Sequence, residues 1–256
     1  MEHIKDHRLW ILALVLILVL GEAIWSFLND RKVYQLKDTA ANIIILIGFQ
    51  ISKIVFVGYQ IFILNFISGQ ALFNFKANSF TFFITFILAD FIYYWFHRIS
   101  HSWKPLWAFH LIHHSSVYMN LTTSYRLNWF SALISPVFFA PLAILGLPID
   151  FIIVSYTLNL FYQFFLHTES IGKLGVLEGI IDTPSAHRVH HGSNEGYIDK
   201  NFGGVFMIWD KIFKTYEPEK EKVIYGLTSG ESSYNPFKLM FKGFIDLFKK
   251  DMGYKG

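Results

Sequence analysis

Residues 80–101 read FTFFITFILADFIYYWFHRISH, and this stretch decides the fold. Phe80 to Phe96 is apolar apart from one charge, Asp90. A membrane span needs about 20 mostly apolar residues, each rising about 1.5 Å, so the run reads as a span. It ends in His97 and His101, spaced i, i+4, which share one face of a continuing helix. A membrane helix therefore delivers two imidazoles to the bilayer surface, and the rest of the chain is read outward from that point.

Composition supports the setting. Of 256 residues, 53% are hydrophobic, 19% aromatic and only 16% charged, against roughly 25% charge in an ordinary soluble domain. These values exclude a disordered chain, and a net charge of +3 gives no case for a nucleic-acid partner. The absence of cysteine excludes disulfides, thiolate metal sites, iron–sulfur clusters and a cysteine nucleophile.

Four further apolar stretches accompany the first. Leu9 to Phe27 carries Glu22 near its end. It is read as a span rather than a signal peptide because the apolar run continues through Ile24, Trp25 and Phe27. Ala40 to Ile67 contains Lys53. Trp129 to Leu147 contains Pro136 and Pro141 as expected kinks, and Ile149 to Leu166 follows after a tight hairpin turn at Gly146 to Asp150. The expectation is an all-α integral membrane protein with four or five transmembrane helices and a cytosolic helical cap. A single domain is expected over 1–256, divided into N-terminal spans (1–79), a histidine-box region (80–227) and an amphipathic tail (228–256).

Orientation follows Lys and Arg. Arg98, Lys104, Arg126, Arg188, Lys200, Lys211 and Lys214 flank the histidines, while the turn between the last two stretches holds none. The histidine regions are thus expected on the cytoplasmic side of a multi-pass protein. Alternation places Arg31, Lys32 and Lys37 inside and the N-terminus outside, against the local charge of Lys5 and Arg8. The composition and short chain point to a bacterial inner membrane. Asn235 to Met252 alternates aromatic and Lys residues at helical spacing; it fits an interfacial helix on anionic lipid and, equally, a helix packed on the protein's own cytosolic face.

Nine of the 11 histidines fall in four groups. These are His97 and His101 in HRISH, His110, His113 and His114 in HLIHH, His167 alone, and His187, His190 and His191 in HRVHH. Pro105 can open a helix bearing the second group. Thr183-Pro184 can open one bearing the fourth, with Gly192 directly after it. Each group is then expected to point its imidazoles at one place. His3 and His7 are read as solvated. Nine imidazoles exceed the four ligands of one tetrahedral zinc and suit two metals. Imidazole serves iron, zinc, copper and nickel alike. Position favours iron: the site lies where an apolar lipid chain can reach it, and unactivated C–H bonds need the strong oxidant that a reduced di-iron site makes from O2.

Carboxylates should orient the imidazoles from behind. Asp90, seven residues before His97 and on its face, is one candidate, with pairing to Arg98 or Lys53 as the alternative. Glu169, Glu178, Asp182 and Asp199 are others. Tyr125 and Arg126 can face a lipid head group or hold the cap together.

HRISH, HLIHH and HRVHH, in this order among spans, resemble the fatty acid hydroxylase and sterol desaturase superfamily of membrane non-haem di-iron enzymes. WAFHLIHHSSVYMNLTTSYR, FYQFFLHTESIGKLGVLEGIIDTPSAHRVHHGSN and YIDKNFGGVFMIWDKIFKTYEPE are similar to the alkylglycerol monooxygenase branch. That branch cleaves ether lipids by hydroxylating the carbon next to the ether oxygen, with tetrahydrobiopterin as reductant. The resemblance implies that His97, His101, His110, His113, His114, His187, His190 and His191 are the catalytic metal ligands, with His167 a ninth. It also implies two iron ions, O2, a membrane lipid substrate and a separate electron donor, since no b-type cytochrome motif or flavin fingerprint is visible. The chain is shorter than the animal members of the branch and is expected to lack their further C-terminal spans. Val117 stands where that branch suggests an acid, and Ile171 where some hydroxylases have histidine. Trp209 to Phe213, recurrent in the superfamily, is read as an anchor for the cap. Hydroxylation or desaturation of a fatty acyl or sterol-like lipid is the alternative activity. A metal transporter or a zinc lipid hydrolase fits the histidine placement less well.

Overall fold

The structure is a computed structural model that describes residues 2–248, with side chains from Leu9 onward. The side chains of His3 and His7, and residues 249–252 of the C-terminal stretch, lie outside the described residues. Among these there is no strand, only isolated bridges such as Ile181 with Phe206.

Three helices are long and apolar enough to cross a membrane: α1 (Glu2–Leu28), α2 (Leu36–Ser68) and α3 (Ser79–Ser102). Their starts follow from local chemistry. The Gln35 side chain accepts from the backbone N–H of Asp38 at 2.7 Å to open α2, and Asn78 accepts from that of Thr81 at 2.9 Å to open α3. Apolar residues on α1 and α2 such as Ile17, Leu20, Ile54 and Phe62 face outward, as lipid contact requires. The short helices α4 (Lys104–His110), α7 (Pro184–His190), α8 (Ile208–Ile212) and α9 (Pro236–Asp246) build the layer around the histidines.

The fourth and fifth apolar stretches form α5 (Ser135–Leu145) and α6 (Ile149–Phe164), of 11 and 16 residues. Both fall short of the roughly 17 residues at the lower limit for a spanning helix. The hairpin turn between them is as expected. Gly146 has φ +92°, and a Cβ there would meet the Phe73 carbonyl oxygen at 1.8 Å, so the turn requires glycine. Leu72 donates to the Ile144 carbonyl at 2.7 Å, fixing the α2–α3 connection against this turn. A core of Ala89, Phe139, Leu142, Ala143, Leu147 and Ile152 joins α3, α5 and α6.

The connections sort to two ends. The turn of α5–α6 sits with the α2–α3 connection. At the other end, the α1–α2 connection meets the histidine-bearing segments: Asn120 donates to the Val33 carbonyl at 2.7 Å, and Arg126 pairs with Asp38 at 2.5 Å.

α9 packs on the protein's own face, as one reading of the C-terminal stretch expected, and leaves an apolar outer side. Leu239 and Met240 are buried against Ile45 and Ile112, and Gly243 lies so close to Ala108 that a Cβ would come within 2.4 Å of its carbonyl oxygen. Phe237, Phe241, Ile245 and Phe248 remain exposed on the outer side.

Candidate metal centre

The nine histidines converge on two places. His97, His101, His110, His114 and His190 offer ring nitrogens that all lie within 4.8 Å of one another, and His113, His167, His187 and His191 do the same. Eight are buried and His110 is half-buried.

The HxxxH pair works as its spacing predicts, since His97 and His101 on the last turns of α3 serve one centre. The two HxxHH groups do not. HLIHH sends His110 and His114 to the five-histidine centre and His113 to the other. HRVHH sends His190 to the first, and His187 and His191 to the second. The expectation that each group points at one place is corrected on helical geometry. Neighbouring residues diverge by about 100° on a helix, so adjacent histidines cannot aim alike. α4 also ends at His110, leaving His113 and His114 on a 3-10 turn, and His191 caps α7 where Gly192 was the expected cap. Each pentad is a fork that reaches both centres. Pro105 and Pro184 do open α4 and α7, and the Thr183 side chain accepts from the N–H of Ala186 at 3.3 Å.

The outward ring nitrogens show which tautomer is held. Nδ1 of His97 lies 3.0 Å from the Phe202 carbonyl, that of His190 3.0 Å from the Lys200 carbonyl, and that of His167 2.8 Å from the Gln163 carbonyl. A carbonyl has no proton to give, so each Nδ1 donates and leaves the Nε2 lone pair facing inward. Nε2 atoms crowd accordingly. That of His110 is 3.0 Å from His97 and 3.1 Å from His114, and that of His167 is 3.3 Å from His113 and 3.1 Å from His187. Nε2 of His190 and of His191 is buried with no hydrogen-bond partner.

Burial, reinforced by neighbouring imidazoles, holds His113, His114, His187 and His191 far below the ordinary histidine range. Burial pushes His167 down to about 4. Burial therefore favours the neutral imidazole, the form whose lone pair a metal takes. Behind them stand acids: burial, with Asp210, Asp90 and Glu178 nearby, pushes the Asp182 carboxyl well up. Inward lone pairs, orphaned buried Nε2 atoms and surrounding carboxylates together fit two bound cations.

The predicted carboxylates divide. Asp182 lies 2.9 Å from Nδ1 of His187 and is fully buried, the brace expected of a ligand's partner. Asp199 approaches Nδ1 of His101 at 3.6 Å from an exposed position. Asp90 accepts from Asn159 at 2.7 Å, from Val205 N–H at 2.8 Å and from the Trp209 indole at 2.8 Å. These partners fasten α6 and the 205–209 segment to α3, and neither Arg98 nor Lys53 is among them. Glu178 accepts from Thr183 and Ser185 at the start of α7, at 2.8 and 2.7 Å. Glu169 is exposed and contacts Tyr225. Arg126 is fully buried, with its donors on Asn42, Ser115 and Asp38, so it holds α2 to the segment after His114.

Asp210 was missed as a site residue. It accepts from Phe202 N–H at 2.8 Å, Gly203 N–H at 2.7 Å and the Thr215 hydroxyl at 2.7 Å, which fixes the carbonyl that His97 uses. The sequence signal was present in the Trp209–Phe213 motif, read there only as an anchor.

A cavity of about 110 Å³ adjoins both centres. Its walls include Phe49, Phe96, Leu106, Phe109, Ile134 and Leu160, and His97, His110, His113 and His167 also line it.

The family model for fatty acid hydroxylase matches residues 82–215, the region that contains all nine histidines. The chain belongs to the fatty acid hydroxylase family. Alkylglycerol monooxygenase of Homo sapiens is 48% identical over 171 residues, covering 66% of this chain and 38% of that protein. The Xenopus tropicalis alkylglycerol monooxygenase is 46% identical over 165 residues, covering 64% and 37%. The ornithine lipid hydroxylase OlsE of Rhizobium tropici is 28% identical over 145 residues, covering 56% and 44%. The chain spans less than two fifths of the length of those two alkylglycerol monooxygenases. No solved structure matches. These findings bear out the resemblance to the superfamily and to that branch.

Proposed function

We propose that this chain is an O2-dependent, non-haem di-iron lipid hydroxylase that acts on ether lipids at the carbon next to the ether oxygen. The observation that carries the reading is the cavity. Its walls are apolar, and its floor includes two ligands from each histidine centre, so a lipid chain lying there meets both metals without crossing water.

His97, His101, His110, His114 and His190 would hold one ion, and His113, His167, His187 and His191 the other. Two iron ions bound there and reduced would supply the activation of O2 needed to hydroxylate an unactivated C–H bond. The protein's own part is positional. Backbone carbonyls and Asp182 lock the imidazoles with Nε2 inward, and the aromatic walls exclude water and align the chain. The site belongs to the cytoplasmic end of a multi-pass membrane protein, on the basis of the Lys and Arg around it. Electrons come from a separate donor, which for this branch implies tetrahydrobiopterin.

Hydroxylation of an acyl lipid is the second reading, and the likeness to a protein named ornithine lipid hydroxylase supports lipid hydroxylation in general. Lipid mass spectrometry of cells expressing the chain, under ordinary and isotopically heavy oxygen gas, tests both. Heavy label in a fatty aldehyde with loss of ether lipid supports the first reading, and label in a hydroxy-acyl lipid supports the second. Lipid turnover that proceeds equally without oxygen removes both and leaves a metal hydrolase.

A further inference from the structure

Among the described side chains of α1, most of which face outward, one acid is buried. Glu22 is 5% exposed, and an ionisable side chain within a span is costly unless fully bonded. Its carboxylate accepts from the Tyr34 hydroxyl at 2.6 Å, the backbone N–H of Leu121 at 2.8 Å, and the hydroxyl of Thr168.

We propose that Glu22 is a positioning residue for the four-histidine centre: by holding the Thr168 side chain it fixes the neighbouring ligand His167. The proposal rests on the two-metal reading above. His167 differs from the other eight ligands because no second histidine shares its local segment, so helical spacing does not place it. It stands just beyond the end of α6, and its ring is tied back to the Gln163 carbonyl at 2.8 Å. The turn that follows is clamped from two sides. From α7, Arg188 donates to the Thr168 carbonyl at 2.9 Å and the Ile171 carbonyl at 2.7 Å. Arg188 lies between the ligands His187 and His190, so this clamp links the turn to the same centre. From the membrane side, Glu22 takes the Thr168 hydroxyl. Without Glu22 the turn is held on one side only, and His167 gains freedom to leave the cluster. Glu22 lies outside residues 82–215, the part matched by the family model.

The test is iron content and the Mössbauer spectrum of the purified full chain reconstituted with ferrous iron alone. Wild type is expected to hold two irons per chain in two environments. Glu22→Ala is expected to lose the four-histidine iron, with affinity there reduced about tenfold, the lower end of what loss of a ligand-orienting partner causes. Glu22→Gln keeps an acceptor oxygen and is expected to keep both irons. Tyr34→Phe removes a different bond to the same carboxylate and is also expected to keep both. Two irons with unchanged spectra in Glu22→Ala overturn the proposal. So does equal iron loss in Tyr34→Phe, which would show that Glu22 acts only by docking α1. If Glu22→Ala does not insert, Thr168→Val decides: one iron supports the proposal and two overturn it. A wild type without an iron pair defeats the two-metal reading itself, and this inference with it.

Discussion

The two centres are built differently. The five-histidine centre takes two ligands from the last turns of a single long helix, α3, and braces them with backbone: the Phe202 carbonyl behind His97 and the Lys200 carbonyl behind His190. It reaches the protein surface through exposed Asp199 beside His101. The four-histidine centre draws His187 and His191 from the end of α7 and one histidine each from two other segments, is wholly buried, and includes the only imidazole braced at hydrogen-bond distance by a buried carboxylate among the described residues, His187 on Asp182. The first centre has two i, i+4 pairs and a fifth ring, while the second has one such pair, two single histidines and a buried acid behind them.

Removal of one ligand gives the sharpest test of that contrast. His187→Ala takes one of four ligands together with the end point of the Asp182 brace. It is expected to empty the four-histidine centre and abolish activity. His114→Ala takes one of five and is expected to retain more metal. Iron content per chain measures both, and equal losses would break the comparison. The effect of Asp182→Asn should be smaller. Loss of the carboxylate behind His187 is expected to weaken metal binding there about 10–100-fold, read by metal titration, with the five-histidine centre unchanged.

Asp210→Asn probes the other brace. It weakens bonds to the Phe202 and Gly203 N–H groups and the Thr215 hydroxyl. Hydrogen bonds to charged groups contribute about 1.5–3 kcal/mol, so a loss of stability in that range is expected in thermal unfolding. Any iron loss should fall on the five-histidine centre alone. The smallest effect belongs to Glu169→Gln. That residue is exposed and its side-chain hydrogen bond is with Tyr225, so iron content and turnover should match wild type, and a marked loss would mean that the four-histidine centre extends to it.

All nine clustered histidines were legible as residue types and spacings, because repeated imidazoles at helical intervals have no packing explanation. Their division between two clusters was not. The sequence pattern groups histidines by chain position, whereas the 100° step of a helix sends neighbours to different centres. Asp182 could be named but not ranked above Glu169 or Asp90, since each is simply an acid near a histidine in sequence. Only packing makes Asp182 a ligand's partner, Asp90 a fastener of α6 and Trp209, and Glu169 a surface residue. Glu22 was legible as a charge in a span but had no assignable partner, because Thr168 lies more than a hundred residues away.

From the chain alone came the apolar helices, the helical class, the histidine groups and the family, since each depends on composition or on patterns within a few residues. The tertiary structure alone decided which ring joins which cluster, which acids stand behind them, where the cavity lies, and how α9 and α1 meet the histidine-bearing segments. Those are contacts between segments far apart in sequence, and local periodicity carries no information about which distant surfaces will pack together.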